Sequence, residues 1–441
     1  MTDGYSRREQ TGWYFYDWAN SVFSTTVVTL FLGPYLTLVA KAAAGPDGFI
    51  YPFGIKVEPR SYWGYLVSLS VLTQVIVMPV VGALADYWQR KREMLAVLAY
   101  TGAAATVAMY SVTGSNYLLG GALFLIANLA FGASMVVYNA FLPEIAPPEE
   151  RDNISSKGWG LGYLGGGLML ALNLAFFSNA EKFGLTEAHA VRISLCSAGL
   201  WWALFTLIPI SRLRNRGPRH PAAGGHYVVD GLRQLGRTFS GIRRHRHTML
   251  FLAAYLLYND AIQTVIALSG QFGADELKMP MSLLTLAILM VQFVAFLGAM
   301  AFNRVAARAG AKRTVIITLL IWTATLVYIY CGVRSHAEFF VMAALVALVM
   351  GGSQALSRSL FSRMIPNGKE AEYFSIYEIT DKGTSWLGPL VFALALQITG
   401  NYRLAILSLI VFFAGGLLLL LKVDVARAVR EADSAVSGSY S

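Results

Sequence analysis

Long apolar runs alternate with short polar loops along almost the whole chain. Each run is roughly 20 residues long, the length of helix that crosses a hydrocarbon core of about 30 Å. A membrane barrel would instead alternate apolar and polar residues over about ten positions. Continuous runs therefore predict helices, which satisfy their own backbone hydrogen bonds inside lipid. Twelve spans are expected, at roughly 13–39, 62–84, 93–112, 118–141, 159–177, 191–209, 248–268, 281–302, 314–332, 338–360, 375–398 and 404–422. The inner end of the fifth carries Lys157, and that of the eleventh carries Glu378, Asp381 and Lys382.

Composition excludes a soluble reading. Hydrophobic residues make up 56% of the 441 and charged ones 14%, with mean hydropathy +0.53. A soluble fold has nowhere to put that much apolar surface. Charge then orients the chain. With the N-terminus inside, only eight of the 35 Lys and Arg fall in outer loops: Lys41, Lys56, Arg60, Lys182, Arg192, Lys278, Arg334 and Arg403. This asymmetry is what the positive-inside rule requires, so both termini are expected in the cytoplasm. The net charge of +10 follows from this topology and calls for no nucleic-acid partner.

Residues 210–247 divide the chain. The stretch is rich in arginine, and Val228, Leu232, Leu235, Phe239 and Ile242 recur at helical spacing. It is expected to be a cytoplasmic linker whose amphipathic helix lies on the anionic inner leaflet. It separates an N-terminal six-helix bundle (1–209) from a C-terminal one (248–422), with a cytoplasmic tail at 423–441. The halves repeat: Lys157-Gly158 and Lys382-Gly383 are each followed by small residues, and Pro147 and Pro366 lie just inside the membrane in each half. Two parallel repeats place a transport site at their interface near mid-membrane. The fold class expected is an all-α membrane protein of twelve helices in two pseudo-symmetric bundles, acting as a monomer.

Ionisable and polar residues within the spans are the candidate chemistry. Asp260, about midway along span seven, stands beside Asn259, and Gln263 follows on the same face. A carboxylate at that depth costs roughly 2.5–3.5 kcal/mol on insertion scales, so function is the preferred reading for Asp260. Asp17, Asn20, Ser21 and Ser24 form one stripe of span one, Asn128 lies mid-span four, and Gln354 sits toward the inner end of span ten. Asp260, Asn259, Gln263, Asp17, Asn20, Asn128 and Gln354 are the candidates for holding substrate or a proton. Helix–helix hydrogen bonding is the competing reading, weighed evenly for Asn128 and Gln354, and for Asp17, about one turn inside the membrane, an interfacial or inner-gate role weighs equally with a site role. Asp86, Arg90, Lys157, Glu378, Asp381 and Lys382 are the candidates for an inner gate. Snorkelling to the surface competes for Lys157 and Lys382.

No nucleophile–base pair shares a depth, so an enzyme is not expected. No His/Cys cluster has ligand spacing, so neither metal nor cofactor is expected. Cys196 and Cys331 read as inert thiols. Nothing before Trp13 has the pattern of a cleavable signal peptide. A receptor or scaffold would want a large soluble domain, and the longest loop is about 38 residues.

The loop after span two reads Gly82-Ala-Leu-Ala-Asp86-Tyr-Trp-Gln-Arg90-Lys91-Arg92. It resembles the inner-loop signature of the major facilitator superfamily, with Tyr87 and Gln89 departing from it. A sharper set runs through both halves: Tyr16-Asp17-Trp18-Ala19-Asn20-Ser21, Tyr138 to Ile145, Gly158 to Gly167, Tyr258 to Thr264, and Gly351 to Ser359. Together these resemble the vacuole-effluxer branch of that superfamily, which includes autophagy-related vacuolar amino-acid effluxers and bacterial relatives. The resemblance implies cavity-lining spans one, four, seven and ten, and export of small solutes, with amino acids as candidates and protons as a candidate coupling ion. It also implies a bacterial inner-membrane location. A drug or metabolite antiporter of another branch is the alternative.

Overall fold

The computed structural model describes residues 6–88, 90–216, 245–382 and 387–437. Its long helices are α1 (Arg7–Ala42), α2 (Tyr62–Trp88), α3 (Lys91–Ser111), α4 (Tyr117–Ile145), α5 (Arg151–Ser178) and α6 (Glu187–Arg212) in one bundle. The other holds α7 (Arg246–Asp275), α8 (Met281–Ala309), α9 (Ala311–Cys331), α10 (His336–Ser362), α11 (Glu370–Lys382), α12 (Leu387–Thr399) and α13 (Tyr402–Lys422). Among the described residues eleven helices are long and apolar enough to cross a membrane, and the shorter apolar α12 falls with α11 where span eleven is expected. Large apolar residues such as Leu72, Ile76, Leu204, Val411 and Leu418 stay exposed. Lipid tails, as apolar as these side chains, cover them at no cost.

Span one is not α-helical throughout. Phe23–Phe31 is a π-helical segment, and the Thr29 hydroxyl donates to the Ser24 carbonyl at 2.8 Å, five residues back. Such wide turns inside a helix concentrate at functional positions.

The two bundles meet along α5–α8 and α2–α11. Small residues set how closely. A Cβ on Gly82 would sit 2.5 Å from the Ala371 carbonyl oxygen, so only glycine admits α11 against α2 here. By contrast, α12 packs on α7 and on α13 within its own bundle.

Two expectations change. Span eleven starts at Glu370 rather than near 375, with Glu370 and Glu372 in its first turn. Hydropathy places acids outside a span, whereas a helix N-terminus favours them. The tail also folds: α14 (Val425–Ser437) buries Ala428 and Ala432 and packs on α7. The Asp424 carboxylate accepts the Arg427 N–H at 2.9 Å and starts that helix. The amphipathic helix expected around 228–242 lies outside the described residues.

Candidate functional site

The described hydrogen bonds and ion pairs between the bundles lie toward one end, the end at which α1 begins and α13 finishes. Lys91, at the start of α3, is buried among three carboxylates. Its Nζ lies 2.9 Å from Asp86, 2.7 Å from Glu144 and 3.4 Å from Glu370 of the opposite bundle. The Glu372 N–H donates to Asp86 Oδ2 at 2.8 Å. One buried cation thus holds acids of both bundles, and removing a partner from such a cluster costs about 3–5 kcal/mol.

Deeper in, Arg358 of α10 crosses the interface and is almost wholly buried. Its Nη2 lies 3.2 Å from Asp17 Oδ2 and donates to the Ser155 carbonyl at 2.9 Å, while Nε donates to Ser155 Oγ at 2.9 Å. Nη1 also reaches Asn139 Oδ1 at 3.3 Å. The guanidinium carbon stands 4.6 Å from the Trp13 ring centre, 5.4 Å from that of Trp159 and 5.6 Å from that of Tyr138. A charge paired, hydrogen-bonded and faced by three rings is stabilised despite its burial.

Further bonds extend the seal. Asn139 Nδ2 donates to Glu378 at 2.7 Å, Arg151 donates to the Ser362 carbonyl at 2.6 Å, and Arg363 pairs with Asp152 at 2.6 Å. The innermost is Tyr163 donating to Gln354 Oε1 at 2.5 Å. Beyond Tyr163 and Gln354, no polar bond joins the bundles among the described residues.

Comparisons with known proteins match this two-bundle fold. A sequence model described as "Vacuole effluxer Atg22 like" covers residues 5–433. The chain belongs to that family. An uncharacterized MFS-type transporter, YxiO of Bacillus subtilis, is 30% identical over 94% of each chain. Autophagy-related protein 22-1 of Penicillium rubens is 27% identical, covering 97% of this chain and 91% of its own. Among solved structures, the E. coli fucose:proton symporter FucP superposes with TM-score 0.69 at 14% identity, covering 95% of this chain and 98% of that one. A bacterial homologue of the iron transporter ferroportin gives 0.65 at 14%, covering 94% and 98%. These show the major facilitator fold, and the Atg22-like chain is an MFS-type transporter rather than an enzyme.

Within this family member the predicted residues part company. Asp86, Glu378, Asp17 and Gln354 come together in the seal. Arg90 is exposed and has no ion pair among the described residues; its neighbour Lys91 holds the place expected for it, because the helix turns that side chain inward. Lys157 is exposed and joins no ion pair among the described residues. Asp381 faces its own bundle, accepting from Tyr255 at 2.6 Å and from Asn259 Nδ2 at 2.8 Å. The Lys382 side chain lies outside the described residues.

The expected binding residues do not line one open wall. Asp260 is buried, and its Oδ2 accepts the Gly388 N–H of α12 at 2.6 Å. Its Oδ1 and the Asn259 Oδ1 are buried without a hydrogen-bond partner. Asn128 donates to Ser70 at 2.8 Å, a bond within one bundle. Among the described residues Asn20 reaches only Met135 Sδ, at 3.4 Å, and half-buried Gln263 has no polar partner. Arg358, Lys91, Asn139, Ser155 and Glu370 were not singled out by the sequence. The available signal was Arg358 itself, an arginine inside an apolar run, where charge is expensive and therefore purposeful.

Proposed function

We propose that this chain is a secondary transporter exporting small solutes, amino acids foremost, by alternating access, with both termini in the cytoplasm. The arrangement described is then its state closed to the cytoplasm. The observation that carries this reading is the one-ended seal: buried polar contacts between bundles occupy the half nearest the termini, and none of the described ones lies beyond Tyr163–Gln354. Two bundles joined in this way rock apart by exchanging one set of end contacts for another. Asp260 suits the coupling proton. One carboxylate oxygen is committed to Gly388, whereas the other is buried without a partner and is relieved by protonation.

The test is transport by purified protein in proteoliposomes loaded with a mixture of labelled amino acids, with and without an imposed proton gradient. Amino-acid movement that depends on the gradient is expected. Movement of none of them, nor of other small metabolites, under any ion gradient would overturn the proposal.

A further inference from the structure

The surroundings of Arg358 divide unevenly between the bundles. The guanidinium comes from α10 of one bundle. The rings of Trp13, Tyr138 and Trp159 and the polar groups of Asp17, Asn139 and Ser155 all belong to the other. Three of these hosts, Trp13, Tyr138 and Asp17, brace one another without Arg358. Trp13 Nε1 donates to the Tyr138 carbonyl at 2.9 Å, the two rings stack at 4.4 Å, and the Tyr138 hydroxyl donates to Asp17 at 2.7 Å. A motion that parts the bundles at this end withdraws the guest and leaves the Trp13–Tyr138–Asp17 frame assembled, while Ser155 and Asn139 give up their partners Ala355 and Glu378 as well.

An emptied cage presents a buried carboxylate, amide and carbonyl acceptors, and three aromatic faces to the cytoplasmic vestibule. That set is complementary to an organic cation. Ring faces attract a weakly hydrated guanidinium or ammonium, and the carboxylate supplies the charge-assisted bond. Hard metal ions prefer an all-oxygen shell. We propose that the vacated cage is a loading site for solutes bearing a guanidinium or ammonium group, and that Arg358 is their intramolecular stand-in, plugging the site whenever this end closes. The inference rests on the alternating-access reading and adds a substrate class to it. A solute cation and Arg358 compete for one place, so a loaded cage holds the cytoplasmic end open.

The experiment uses the full-length protein in nanodiscs, with agmatine and methylguanidinium as probes and acetate as the anionic control. Calorimetry and tryptophan quenching give the affinity. Arg358→Ala is expected to bind agmatine on the order of tenfold more tightly than the unaltered chain, since the plug is gone. Adding Asp17→Asn should abolish that gain, and Arg358→Lys should keep the site plugged. Should Arg358→Ala not fold, Ser155→Cys in a Cys196→Ser, Cys331→Ser background replaces it. Millimolar agmatine, and not acetate, is then expected to protect the introduced thiol from a maleimide. Folded Arg358→Ala that binds no cation, binding indifferent to Asp17→Asn, or absence of thiol protection would each overturn the inference. Transport of neutral or anionic solutes with no cation binding sinks this proposal and leaves the transporter reading standing. Cation binding without transport of any solute does the reverse.

Discussion

The backbone N–H of Glu372 donates to Asp86 Oδ2 at 2.8 Å, so the last turn of α2 in one bundle supplies an acid to the first turn of α11 in the other. The same carboxylate lies 2.9 Å from Lys91. Asp86 therefore touches a helix N-terminus of the other bundle and a buried cation of its own bundle at once, and the first of these contacts requires this end to be closed.

Asp86→Asn keeps an acceptor for the Glu372 N–H and removes the charge. The helix N-terminus contributes about 0.3–1 kcal/mol to a carboxylate, up to about 2 when partly buried. A loss near 1.4 kcal/mol shifts the closed-to-open ratio about tenfold. The variant is expected to express normally and to label faster at thiols introduced near Ser155. Labelling and transport rates equal to those of the unaltered chain would contradict this role.

Lys91→Met should do more harm. It leaves Asp86, Glu144 and Glu370 without their shared cation, at a cost of about 3–5 kcal/mol. A drop in thermal stability is expected, partly recovered in the Lys91→Met/Asp86→Asn double variant because one uncompensated charge is gone. Additive losses in the double variant would show that the cluster is not coupled.

Gly82→Ala places a methyl 2.5 Å from the Ala371 carbonyl oxygen. Backbone cannot yield as a side chain does, so α2 and α11 must separate at their sealed end. The expected result is a protein that folds but resists closing, read as higher maleimide reactivity of a thiol placed at Ser375. Unchanged reactivity would mean that the interface relaxes around the methyl.

Asp260→Asn retains an oxygen for the Gly388 N–H and loses the proton site. Gradient-driven transport is expected to fall to background while substrate exchange continues. Gly388→Ala separates the coupling role from the structural one, since its Cβ would meet Thr264 Oγ1 at 2.1 Å and it is expected to lower stability. Full gradient-driven transport by a well-folded Asp260→Asn protein would remove Asp260 from the coupling mechanism.

The sequence by itself determined the class of molecule. Long apolar runs admit only helices in lipid, and composition left no soluble alternative. Motifs in both halves pointed to the family. It also exposed the cost of charge in a span, which singled out Asp260, while the loop after span two singled out Asp86 and the polar stripe of span one Asp17. What it could not determine was which way each costly group turns. Arg90 and Lys91 are adjacent and both cationic; the start of α3 buries Lys91 among three acids and leaves Arg90, just before the helix, outside. Asp260 looks like a cavity residue by depth, yet it is drawn to a backbone N–H of α12, more than a hundred positions along the chain. Arg358 and Asp17 stand 341 positions apart, and no local pattern records that pairing. A span's existence depends on summed hydropathy, a local property of one segment. Whether its charge gates, couples or merely snorkels depends on which neighbour satisfies it, and that is decided only when the bundles pack.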